Sequence, residues 1–137
     1  MLLKGTTNMP SRMYPAILQE VHDGDTMLFL IDRGLHDYAS EWIRLLDVWC
    51  PELSQPGGNK ATDDAEAWFH EHEDERGWYG IQTVKAGGRA EEKKTFVRYL
   101  ATVYDLRNPM TTLNSHLNSL GYPMERPLDA ESSTGGV

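Results

Sequence analysis

The residues best suited to chemistry gather in one stretch, residues 21–53. It opens with Val21-His22-Asp23-Gly24-Asp25-Thr26 and closes with Ile43-Arg44-Leu45-Leu46-Asp47-Val48-Trp49-Cys50-Pro51-Glu52. The Asp-Gly pair bends the chain, because glycine accepts positive φ and aspartate tolerates it. Asp25 then starts a strand, from which a carboxylate can point into a cleft. Arg44 offers a planar fork of donors that matches a phosphate. Glu52 follows Pro51, which stiffens the loop that carries it. Acids for a hard metal, a base and a phosphate-binding arginine are together the parts of a phosphodiesterase.

Positioning these groups requires strands on both sides. Weak alternation over residues 14–21 predicts a first strand, and the apolar run Met27-Leu28-Phe29-Leu30-Ile31 lies in a second over 26–32. A third lies within 35–48, entered after Tyr38. By alternation Trp42, Arg44, Leu46 and Val48 share one face, and Ile43, Leu45 and Asp47 the other. Arg44 thus sits among apolar neighbours, as at the mouth of a barrel with a polar pocket or beside a β-bulge. Ser54-Gln55-Pro56-Gly57-Gly58-Asn59 reads as a loop. Asp63-Asp64-Ala65-Glu66 can cap a helix whose apolar face is Ala65, Trp68, Phe69 and His72, with Gly77 ending it. A fourth strand is predicted over 78–85, a turn at Ala86-Gly87-Gly88-Arg89, a charged extension over 90–94 and a fifth strand over 95–104. Asn108-Pro109 breaks the chain. Thr111 or Thr112 caps a final helix with Leu113, His116, Leu117 and Leu120 on one face and Gly121 as its stop. Three strands, a helix, two strands and a C-terminal helix make a mainly β, α+β chain. The order is that of a five-stranded Greek-key OB-fold barrel with a helix between strands three and four. The domain is expected over residues 13–124, with an arm over 1–12 and a disordered tail over 125–137.

Three blocks carry a family resemblance: Asp23-Gly24-Asp25-Thr26, then Ile43-Arg44-Leu45-Leu46 with Pro51-Glu52, then Phe96-Val97-Arg98-Tyr99-Leu100-Ala101-Thr102-Val103-Tyr104. In this order they resemble the staphylococcal (thermonuclease-like) nuclease family, loosely over residues 14–122. The resemblance implies the OB fold and a Ca2+-dependent nuclease that hydrolyses DNA or RNA by metal-assisted attack of water. Asp25 matches the first metal aspartate and Glu52 the glutamate assigned as base. Arg44 and Arg98 match the two arginines that bind the scissile phosphate. Cys50 falls where the family uses a backbone carbonyl as metal ligand, a role any residue can fill, and Asp23 matches an acid just outside the ligand set. Trp49 departs from the pattern. It stands at the second metal aspartate, and an indole N–H only donates. Asp47, two residues earlier, replaces that ligand only if the strand is bulged or shifted. Another arrangement is a divalent cation held by Asp25, Glu52, carbonyls and substrate phosphate. Phe96 also departs, from a frequent tyrosine.

Composition narrows the choices. The 137 residues suit one domain, and 39% hydrophobic with 25% charged residues fits a globular core. One cysteine, Cys50, excludes an internal disulfide and fits a reducing compartment. The N-terminus lacks the apolar core of a secretory signal, and no run approaches a membrane span, so a soluble cytoplasmic protein with no membrane partner is expected. A net charge of -8 argues against broad clamping of nucleic acid, though not against a small local phosphate site. Singly, each site residue also has a plain structural reading: a hairpin turn, a salt-bridge arginine, a solvated loop acid. Trp42, Trp68, Phe69 and Trp78 read as core, and Cys50 as packing. The alternative to a nuclease is therefore a catalytically degenerate barrel of the same fold that binds nucleic acid or a protein partner. A structural protein unrelated to nucleic acid is a third reading.

Overall fold

A computed structural model describes residues 12–84, 89–92 and 97–128. These form β1 (Met13–Asp23), β2 (Thr26–Asp32), β3 (Tyr38–Leu45), α1 (Gly58–His72), β4 (Trp78–Thr83), β5 (Arg89–Glu92), β6 (Val97–Asp105), β7 (Asn108–Thr112) and α2 (Leu113–Ser119). β1 is long enough to pair with β2 through one half and β4 through the other, with register shifts that bend it. β2 continues to β3, and β4 to β6. The parallel pairing of β3 with β6 closes the circuit. The chain is thus a closed five-stranded OB-like barrel with α1 between the third and fourth strands and α2 after the last. None of the described helices is long and apolar enough to cross a membrane.

The interior follows strand alternation. Met27, Phe29 and Ile31 from β2, Ile43 and Leu45 from β3, and Ala101 and Val103 from β6 are buried together. α1 closes one end of the barrel with Ala61, Ala65, Trp68 and Phe69, so the expected helical face is the buried one. Phe69 meets Phe29 and Tyr79 edge-on, and the Tyr79 hydroxyl donates to the Phe69 carbonyl. His72, the last residue of that face, stacks on Trp68 and bonds Asp105 of β6 through Nδ1 at 3.0 Å. Thr112 caps α2 by accepting from the Ser115 N–H, and Gly121 with φ 105° follows the helix. Asn114 of α2 donates to the carbonyls of Leu46 and Ala101 and accepts from the Val103 N–H. It stitches the site where β3 and β6 part.

Several boundaries differ from expectation. α1 starts at Gly58, after Gly57 in the left-handed region, so Asp63 and Asp64 lie inside the helix instead of capping it. α1 also ends at His72, and Gly77 closes a later turn by donating to the Asp74 carbonyl. The predicted turn and charged extension at 89–92 are the strand β5, an added edge beside β6. The expected break at Asn108-Pro109 is the start of β7, which pairs with β6 alone; proline is tolerated on such an edge. Trp42 and Trp78 are half-buried and outside the core, and Arg76 lies over the Trp78 ring. The arm at 1–11 and the tail from 129 lie outside the described residues.

Candidate functional site

The turn between β1 and β2 sits close under α1. A Cβ on Gly24 would come within 2.9 Å of the Ala61 methyl and the Cys50 sulfur, so only glycine allows this approach. Asp25, the last residue of the turn, is buried at 5% exposure. Its Oδ2 accepts from the Cys50 N–H at 2.9 Å and lies 3.6 Å from Arg44 Nη2; its Oδ1 accepts from the Thr26 hydroxyl at 3.1 Å. Burial raises the Asp25 pKa, and the Arg44 charge and these hydrogen bonds pull it back. Cys50 itself is buried, and desolvation pushes its thiol up to about 12, which leaves it inert as a nucleophile.

The loop after β3 carries the next groups. Strand alternation ends at Leu45; Asp47 takes φ 58°, its side chain is exposed, and Val48 turns inward. Glu52 is exposed, and its loop is tied at both ends. Asp23 Oδ1 accepts from the Leu53 N–H at 2.9 Å, and the Glu52 N–H donates to Gln55 Oε1 at 3.1 Å. Asp23 therefore positions the glutamate's loop against the strand ends.

The two arginines come from strands that pair with each other. Arg44 is opposite Thr26 on one side and Leu100 on the other, while Arg98 is opposite Trp42. Ile43 and Leu45 point into the core, so Trp42 and Arg44 share the outer face of β3. Arg98 reaches across that face toward Thr26 on β2, its Nη1 donating to the hydroxyl at 3.4 Å. Arg44 Nε is buried and has no hydrogen-bond partner among the described residues. A cleft of about 550 Å³ gathers Asp23, Asp25, Arg44, Asp47, Trp49, Cys50, Glu52 and Arg98 on its walls. Every residue singled out in the sequence for the site thus lines one opening.

Such a cleft can hold a phosphate-sized anion between guanidinium forks, with a solvent-facing carboxylate at its edge. A resident Ca2+ fits it poorly. Both Asp25 oxygens already accept hydrogen bonds, one of them also facing Arg44. Trp49 offers only a donor. Among the described residues no three Asp, Glu, His or Cys side chains come together as a metal site.

Three participants escaped the sequence reading; one is Arg126, which lines the same cleft from the stretch expected as a disordered tail. Thr26 takes part through its hydroxyl, which ties Asp25 to Arg98. Trp42 lines a second cavity beside the first, with His22 edge-on to it at 5.9 Å. The alternation that puts Trp42 on the face of Arg44 was the available signal; its apolar character suggested core instead. No family model and no curated protein sequence matches the chain.

Proposed function

We propose that the cleft binds a phosphodiester of DNA or RNA and hydrolyses it. The observation that carries this reading is the convergence of Arg44, Arg98, Asp25 and Glu52, from three separated parts of the chain, on one opening. The resemblance of the blocks around them to the staphylococcal nuclease family agrees with it, as does a barrel type that often presents nucleic acid. Arg44 and Arg98 grip the phosphoryl oxygens and stabilise the charge that builds there. Asp25 holds Arg44 in orientation. Glu52 accepts a proton from the water that attacks phosphorus as the bond to the leaving oxygen breaks; solvent returns a proton to that oxygen. The acidic surface confines binding to this local group of cations, in which Arg126 also lines the cleft. Ca2+ is the first cation to test.

The test is a cleavage assay on single- and double-stranded DNA and RNA with Ca2+, Mg2+, Mn2+ or chelator. Glu52→Gln should lower the rate by about 100-fold or more at near-native melting temperature, and Arg44→Ala should lower it as much with some loss of stability, because it leaves the buried Asp25 without its cation. Unchanged cleavage by Glu52→Gln removes that glutamate from the mechanism. A second reading, a barrel that binds nucleic acid or a protein partner without cleaving, draws support from Trp49 and from the engaged oxygens of Asp25. Its signature is binding with no cleavage under any of these ions.

A further inference from the structure

We propose that the second cavity is a nucleobase subsite, in which a base of a single-stranded nucleic acid stacks on Trp42 while its phosphate lies in the arginine cleft. The proposal rests on the phosphodiester reading above and names the part of the substrate that reading leaves unplaced. The cavity holds about 600 Å³ and shares Asp23, Glu52 and Arg98 with the phosphate cleft, so the two openings are continuous around these side chains.

Spacing fits one nucleotide. Trp42 and Arg44 are two residues apart on the same face of β3, or about 7 Å at the usual rise of a strand. That is on the order of the reach from a phosphate to its own base. Arg98 lies opposite Trp42 in the register and bends toward Thr26, so a guanidinium stands between the indole and the Asp25 end of the cleft. Charge separates the two chambers. Among its described lining residues the Trp42 cavity carries Glu20, Asp23 and Glu52 against one cation, Arg98, apart from His22. A phosphate is repelled there, whereas a neutral base is not, and its ring or exocyclic N–H groups can donate to those carboxylates. The half-buried indole with His22 against it leaves the aromatic surface that stacking needs, whichever base arrives. A base paired in a duplex cannot enter without leaving its stack, so the subsite selects single strands.

The test compares two labelled strands of equal length, an oligothymidylate and a strand of abasic units, both with phosphorothioate linkages to resist cleavage. Binding is followed by fluorescence anisotropy with wild type, Trp42→Leu, Trp42→Phe and Arg44→Ala. The expected result is about tenfold tighter binding of the strand with bases, lost in Trp42→Leu and largely kept in Trp42→Phe. Trp42→Phe separates loss of stacking from loss of fold, which a melting curve also checks. Equal binding of both strands by wild type, or a base preference that survives Trp42→Leu, overturns the subsite. If Arg44→Ala weakens both strands in that case, the phosphate cleft stands and only the subsite falls. If Arg44→Ala weakens neither strand, or neither strand binds wild type, the phosphodiester reading falls and takes the subsite with it.

Discussion

Asp25 is held by opposing forces. Burial disfavours its charge, while Arg44, the Cys50 N–H and the Thr26 hydroxyl favour it, and burial is the largest of these effects. A carboxyl whose folded pKa lies above its ordinary 3.8 binds its proton more tightly in the folded chain. Below that value both states are protonated and ionisation costs nothing. As pH rises through the raised pKa the cost appears, and above it the cost is complete. Asp25→Asn should therefore melt at the same temperature as wild type or higher at neutral pH, with the difference vanishing in acid. Cleavage by this variant should fall by about 100-fold, because Arg44 loses the anion that orients it. Thermal melts across pH together with the rate check both parts; a clear fall in neutral-pH stability contradicts the assignment. The identity of Asp25, Arg44, Glu52 and Arg98 as candidates was legible in the sequence because each sits in a short local pattern. The partner that Asp25 takes, a backbone N–H 25 positions away, was not, because it depends on how the loop after β3 folds back.

Elements aim these groups. The loop that carries Glu52 ends against the start of α1, where a Cβ on Gly58 would sit 2.0 Å from the Glu52 carbonyl oxygen. Gly58→Ala must push the loop away from the helix. It should cost on the order of 2 kcal/mol and lower cleavage with it, measured by denaturant unfolding and initial rates. A variant with native stability and full rate would show that the loop tolerates the shift. This contact also explains why the helix start was misjudged from sequence. A Gly-Gly pair favours turns and disfavours helix, and only packing against residue 52 gives Gly58 its place. β1 and β3 were readable from their alternation and β2 from its continuous apolar run. β5 and β7 were not, since Arg89–Glu92 is wholly polar or small and Asn108–Thr112 opens on a turn signal.

Across the whole molecule, α1 is fastened to the barrel by a polar cluster that does not line the cleft. Asp105 is buried beneath Arg107 and His72, and those hydrogen bonds, Arg107's first, hold its pKa well below the ordinary carboxylate value. A depressed carboxylate stabilises the fold at pH values above its unfolded pKa and loses that contribution as pH falls through the folded one. The chain should keep this stability down to about pH 4 and shed it progressively in stronger acid. Asp105→Asn should cost on the order of 1 kcal/mol at neutral pH, the exposed guanidinium of Arg107 being screened by water, and should flatten the acid limb of the melting profile. An unaltered acid limb would assign that limb to other carboxylates. The barrel was legible from element order, whereas the strand pair that closes it was not: parallel pairing of β3 with β6 leaves no local pattern. That closure also sets a timetable. Thr26 and Arg98 meet across 72 positions of chain, so a polypeptide emerging from the ribosome displays its acids and its first arginine long before the second can join them. If the cleft acts on a phosphodiester as proposed, the growing chain cannot do so until β6 has left the exit tunnel and docked.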